Sequence, residues 1–202
     1  MTAIPLRVDV WSDFVCPFCF IGSLRLEQLA AQRPLDMHWH AFQLRPAGAP
    51  PMDEAKRKMI LEHTPKLAAQ MREEFGLDID RGPLDINTRV AHRLFAAANE
   101  AGKGAQIHDA LFRAYWLRGQ DISDPNVLSA LAGDHGFDGA AAISGDDPVS
   151  EPSVAADIAQ AAQYGFHAVP AIVFGQKYYV SGAQPLAVFA QAAEKAAAEL
   201  SD

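Results

Sequence analysis

The sequence predicts an α/β fold interrupted by a large all-helical insertion. Three observations carry that expectation. The first forty-odd residues alternate strand, helix and strand; the last fifty read as helix, strand, strand and helix; and the stretch from Asp53 to about His135 shows almost only helical periodicity.

Leu6 to Trp11 alternates apolar and polar residues, as a half-buried strand does. Pro17 to about Ala31 is apolar over a wide arc and reads as a helix, with Pro17 suited to its first turn. Leu35, Met37, Trp39 and Ala41 alternate with Asp36, His38, His40 and Phe42 in a second strand. A strand, a helix and a strand in that order favour a parallel pair with a crossover helix. Arg45 to Pro51 is a Pro- and Gly-rich loop. Asp53 is placed to cap a helix running to about Glu62, and Pro65 is expected to restart the chain in a second helix that ends at Gly76. After a loop to Ile86, Asn87 or Thr88 caps a helix with Val90, Ala91, Leu94, Phe95 and Ala98 inward. Ile107, Leu111, Ala114 and Tyr115 define another, and Asp124-Pro125 opens a further one with Val127, Leu128 and Leu131 inward. Such periodic faces read as core. Residues 137–149 read as a loop. Val154, Ile158, Ala161 and Ala162 mark a helix that stops near Gly165. Ala171 to Phe174 is a short strand, Gly175-Gln176 a turn, Lys177 to Ser181 the hairpin partner, and Pro185 opens the last helix. Joining the outer pieces gives the element order of a thioredoxin fold. The expected domains are 1–44 with 150–202, and an inserted helical domain of 45–149.

The chain has 202 residues, half of them apolar, so a sizeable core can be buried. A formal charge of -8 argues against nucleic acid or an anionic membrane as the main partner, because both select clustered Lys and Arg. No apolar run has the length of a membrane span. The first residues carry no basic region followed by an apolar stretch, so no signal peptide is expected and the expected compartment is the cytosol. There thiols are kept reduced, which disfavours a structural disulfide.

The two cysteines, Cys16 and Cys19, flank Pro17-Phe18 where the first strand gives way to the first helix. A thiol there feels the positive end of the helix dipole and free backbone N–H groups, both of which stabilise the reactive thiolate. The pair therefore reads as a redox dithiol. Cys16 is the outer, accessible cysteine in this reading. Cys19 lies nearly one helical turn on, so its sulfur can reach that of Cys16. Cys16 attacks a substrate disulfide, and Cys19 then resolves the mixed disulfide. A structural disulfide and a pair of inert buried thiols compete with this reading. A zinc site is disfavoured, since about four ligands are needed and no histidine lies within fifteen residues of the pair. Val169-Pro170 precedes the strand Ala171–Phe174; a cis bond there would leave the Val169 backbone exposed beside the dithiol, able to pair with a substrate strand. Phe14, Phe18 and Phe20 are candidates for an apolar groove or for core. Asp13 reads as a turn or cap residue or as a proton relay to Cys19. Asp9 is a buried proton acceptor or an exposed strand residue. His167 reads as an exposed loop residue or as a cation near Cys16. His38 and His40 share a strand face with Asp36, which invites a metal reading without a third ligand at known distance.

Asp13-Phe14-Val15-Cys16-Pro17-Phe18-Cys19-Phe20-Ile21-Gly22, Val169-Pro170-Ala171-Ile172-Val173-Phe174 and Val180-Ser181-Gly182-Ala183-Gln184-Pro185 resemble the FrnE branch of the DsbA-like thiol oxidoreductases. Asn87 to Leu94 and Ala110 to Tyr115 match in style, so the resemblance spans nearly the whole chain. It implies a DsbA-like thioredoxin fold, Cys16 as nucleophile, Cys19 as resolving cysteine and Pro170 as the cis-proline. Pro17, Phe18, Phe14 and Val169 become the expected substrate-binding residues. The family often has Trp and Tyr where this chain has Phe18 and Phe20, and Gly where it has Ala168; the residues between the cysteines tune thiolate stability and redox poise. The expected activity is disulfide exchange with protein or small-molecule thiols and disulfides. No bound metal or organic cofactor is expected, and glutathione is the candidate redox co-substrate. The oligomeric state, monomer or homodimer, stays open. The related glutathione-dependent isomerases of hydroxychromene carboxylates and polyketide-type substrates are the alternative; they generally carry Ser where Cys16 stands and need no counterpart of Cys19. A non-catalytic module using the apolar groove alone is the third reading.

Overall fold

The computed structural model describes residues 4–199. Its contacts divide the chain into two compact units, residues 1–42 with 157–202, and residues 43–156.

The first unit is built on a four-stranded sheet. Strand β1 is Leu6–Ser12 and strand β2 is Leu35–Ala41; between them runs helix α1, Pro17–Ala30. β1 and β2 pair in parallel, Leu6 opposite Leu35 through Ser12 opposite Ala41. Strands β3 (Ala171–Phe174) and β4 (Tyr178–Ser181) form the hairpin. β3 runs antiparallel to β1, with Val8 opposite Phe174 and Trp11 opposite Ala171, so the order is β2-β1-β3-β4. Gly175 and Gln176 both have positive φ, 57° and 59°. Residues 175–177 join the strands, the Lys177 N–H donates to the Phe174 carbonyl at 3.1 Å, and Gly175 takes its positive φ with no Cβ penalty.

Alternation along β1 sorts its two faces. Leu6, Val8 and Val10 point into a core shared with Ile172, Phe174 and Val180 of the hairpin, Leu26 and Leu29 of α1, and Phe189, Ala192, Ala193 and Ala196 of the last helix. That helix is Leu186–Glu199 and closes the same face as α1. Its alanines keep the helix close to the sheet, and Phe174 meets Phe189 at 6.0 Å between ring centroids. Each fully buried large apolar side chain contributes on the order of 1.5–3 kcal/mol. The opposite face carries Arg7, Asp9 and Trp11, beside His38 and His40 of β2.

The second unit is helical: α2 (Glu54–Phe75), α3 (Arg89–Glu100), α4 (Gly104–Leu117), α5 (Pro125–Asp134) and α6 (Ala140–Ser144). Helix α7, Ser150–Gln163, begins in this unit and continues into the first; the last helix is thus α8. α3 packs against α4, α5 and α6, burying Leu94, Ala98, Ile107, Leu111 and Leu128.

Two local expectations are corrected. The chain does not restart at Pro65, which lies inside the single helix α2. A proline in a helix interior removes one backbone bond and strains the turn before it. Here the hydroxyl of Thr64 donates to the Ile60 carbonyl at 2.9 Å, and the His63 ring bonds the Met59 carbonyl at 2.8 Å, so carbonyls of that turn gain side-chain partners. The Asp53 cap on Lys56 N–H (2.7 Å) and the left-handed Gly76 then mark the ends of one helix. Residues 137–149 are not all loop either: Ala140–Ser144 turns once as α6, with Ala142 buried. One turn is too short for periodicity to reveal it.

Candidate active site

β1 ends at Ser12, and the chain reverses in a turn closed by the Cys16 N–H donating to the Asp13 carbonyl at 3.0 Å. Cys16 is the N-cap of α1: its backbone is extended (φ -85°, ψ 119°), and Pro17 fills the first helical position, where no N–H partner is needed. The Cys16 carbonyl accepts from Cys19 N–H at 3.1 Å and Phe20 N–H at 3.2 Å, which locks the first turn. Both cysteines are free thiols.

Across from this turn, the Val169–Pro170 bond is cis. The Cys16 Sγ donates to the Val169 carbonyl at 3.6 Å, which ties the two halves of the site together. Pro170 rests on α1 at Gly22, where an added Cβ would lie 3.3 Å from the proline Cγ. Glycine at this helical position is what lets the proline sit so close. The Pro170 carbonyl accepts from Gly182 N–H at 2.8 Å, and Arg25 of α1 donates through Nη1 to the carbonyls of Ala183 (2.6 Å) and Gln184 (3.0 Å). The loop after β4 is thus pinned to the helix that carries the dithiol. Gly22 and Arg25 were not singled out from sequence; a glycine inside a strong helix was the available signal for the first.

The cysteines differ in environment. Burial, and then the hydrogen bond with Cys16, push the Cys19 thiol well above the ordinary cysteine value, against a smaller opposing contribution from the backbone of Asp13. Cys19 therefore holds its proton at neutral pH. Cys16 was expected to be accessible, but it is only 4 % exposed. The N-cap geometry turns its sulfur toward the Val169 carbonyl rather than outward.

The other expected residues separate by burial. Phe18 is 55 % exposed beside the half-buried Pro17, and Val169 is buried with its carbonyl on Cys16. Phe14 is a correction: expected on a substrate surface, it is buried, as is Phe20, because the Asp13–Cys16 turn directs it inward. Asp13 opens that turn and is fully buried, and His167 is exposed.

Asp9 is buried on the sheet face opposite α1, in an ion network the sequence did not reveal. Arg7 grips its carboxylate through Nε (2.8 Å) and Nη2 (2.7 Å), and His40 Nε2 lies 3.0 Å from it. His40 Nδ1 lies 2.8 Å from Asp157 of α7, whose second oxygen accepts from Ala41 N–H at 2.9 Å. Burial alone would raise the Asp9 carboxyl, but Arg7 and His40 outweigh it and hold the group well below the usual carboxylate range. Burial alone would lower His40, but Asp157 and Asp9 lift it to about 9, so the ring is a cation at neutral pH. Trp11 stacks on it at 4.4 Å. His38 bonds Asp36 at 2.8 Å. No group of three His, Cys, Asp or Glu able to hold a metal ion occurs among the described residues.

Comparisons with known proteins agree with this geometry. The DSBA-like thioredoxin domain family matches residues 7–194. The chain is 30% identical over 137 residues to YwbO, an uncharacterized protein of Bacillus subtilis, covering 67% of this chain and 68% of that one. A crystal structure of a probable DsbA oxidoreductase from Streptomyces coelicolor superposes with a TM-score of 0.81 at 30% identity, over 96% of this chain and 91% of that one. A 2-hydroxychromene-2-carboxylate isomerase superposes with a TM-score of 0.78 at 18% identity, over 97% and 98% of the two chains, a likeness of fold.

Proposed function

We propose, from the premise that this chain belongs to the DSBA-like thioredoxin domain family, that it exchanges disulfides through Cys16 and Cys19. One observation carries the reading: a free thiol at the N-cap of α1, with a second thiol one turn inside that keeps its proton. The helix N-terminus favours negative charge at the N-cap position that Cys16 occupies.

In the reducing direction, the Cys16 thiolate attacks one sulfur of a substrate disulfide. A Cys16–substrate disulfide forms, and the other substrate sulfur leaves as a thiolate that takes a proton from solvent. Cys19 then gives up its proton and attacks the Cys16 sulfur. The internal disulfide forms and the second substrate thiolate departs with that proton. The substrate gains two electrons and two protons. Two molecules of a thiol such as glutathione return them and become a disulfide. The oxidising direction is the reverse. Phe18, exposed beside Pro17, offers an apolar contact to a protein or small-molecule substrate, and Val169 frames the sulfur from the other side. The proposed compartment is the cytosol, and the chemistry needs no bound metal or organic cofactor. No described helix is long and apolar enough to cross a membrane.

Cys19→Ser is the test. Incubated with a disulfide substrate, this variant accumulates a mixed disulfide on Cys16, visible by intact mass and released by dithiothreitol, while turnover is lost. A glutathione-dependent isomerase would keep its turnover in the same variant, and a non-catalytic module would form no adduct. Either of those results overturns the assignment.

A further inference from the structure

The sheet face opposite α1 and α8 holds a cavity of about 520 Å³. A sheet face under a helix is ordinarily apolar. This one, beneath the C-terminal half of α7, is lined by Arg7, Asp9, Trp11 and His40 from the sheet and by Tyr164, Phe166, Lys177 and Tyr179 around them.

Three properties of the wall define what it would hold. First, the rings form a connected set. Phe166 stacks on Tyr179 at 5.0 Å, and Trp11 meets Tyr164 and Phe166 edge-on at 5.6 and 5.1 Å. Tyr164 and Tyr179 are 57 % and 50 % exposed, so large ring faces remain open to a guest. Second, the wall carries three cations, Arg7, His40 and Lys177, against one carboxylate, Asp9. The acids that complete their pairing, Asp157 and Glu199, are not part of the lining. Third, Arg7 and Lys177 keep 42 % and 62 % of their side chains exposed while paired.

We infer that this cavity is a binding site for a small, flat aromatic acid: the ring stacks among Tyr164, Phe166 and Tyr179, and the acid's oxygens meet the exposed Arg7–Lys177 rim. An aliphatic acid leaves the ring faces unused. A neutral aromatic gives the exposed N–H groups of Arg7 and Lys177 no charged acceptor. The site lies on the other face of the sheet from the dithiol helix and stands whether or not the dithiol exchanges disulfides.

The test is calorimetric titration of the full chain with indoleacetate, with indoleacetamide as the neutral isostere and cyclohexylacetate as the non-aromatic acid. The expected result is one saturable site for indoleacetate at submillimolar concentration, with both controls weaker by roughly tenfold, the scale of one lost hydrogen bond or stacking contact. Tyr179→Ala and Lys177→Gln, at exposed positions where folding is not at stake, each weaken it several-fold. Absence of saturation at millimolar concentration overturns the inference. So does binding that is unchanged in Tyr179→Ala and Lys177→Gln, or equal affinity for the amide.

Discussion

His40 is held between two carboxylates, and that arrangement makes the first unit's stability depend on pH in a calculable way. The ring's ordinary value is 6.5, and in the folded chain it is lifted to about 9. Its side chain is 17% exposed, so solvent screening is modest. A displacement of that size corresponds to about 3 kcal/mol of stabilisation. Because the folded value is the higher one, this contribution is complete below pH 6.5 and is lost as pH rises through about 9. Between pH 6.5 and about 8.5 the loss comes to about 2 kcal/mol. Asp9 does not oppose it in this window, since its depressed carboxyl is ionised in both states well above 3.8. Cys19 adds only about 0.2 kcal/mol of loss by pH 8.5, half a unit below the 9.0 of an unfolded cysteine. Urea unfolding followed by tryptophan fluorescence at steps across the window measures the change. The wild-type midpoint should fall by about 1 M for a typical slope of about 2 kcal/mol per M. In His40→Gln the midpoint should be lower at the acid end and nearly level across the window. A wild type as level as the variant, or one that gains stability toward pH 8.5, refutes the account of a charged His40 bridging Asp9 and Asp157.

Further outcomes follow from the same reasoning. In the second unit, burial and the neighbouring His92 push His108 down to about 3, so its neutral form is the folded one; stability is lost as pH falls below 6.5, and His108→Gln should flatten that acid limb in the same urea series. Gly22→Ala brings a methyl group 3.3 Å from Pro170; its better helix propensity offsets the crowding, whereas Gly22→Leu should lose about 1–3 kcal/mol in thermal melts and slow alkylation-independent disulfide exchange by displacing Val169 from Cys16. Asp53→Ala removes the cap on Lys56 N–H and should cost about 1 kcal/mol, read as a lower melting temperature with exchange activity intact.

The local elements were legible because local rules decide them. Alternation at 6–11 and 35–41 places strands, Gly175-Gln176 marks a tight hairpin, and the Cys-Pro-Phe-Cys spacing puts two sulfurs at one helix start. Element order then led to the thioredoxin arrangement, since a β-α-β start and an α-β-β-α end bury their apolar faces on a single sheet. Local rules also misled where tertiary and side-chain interactions override them. Pro65 reads as a break, yet α2 runs through it from Glu54 to Phe75. Phe14 reads as a groove or a core residue and as a candidate substrate contact; it is buried.

What the sequence by itself determined is the set of elements, their order and the pair of thiols, all of which depend on spacings of a few residues. Tertiary structure alone decided what meets across long separations. It brought Val169 onto Cys16 across 153 positions and Asp157 onto His40 across 117. It placed Pro170 against Gly22 and buried Cys19 so that its proton is held. The physical reason is that burial and ion pairing are properties of the assembled volume: a side chain's solvent and partners exist only once distant segments share the same few ångströms.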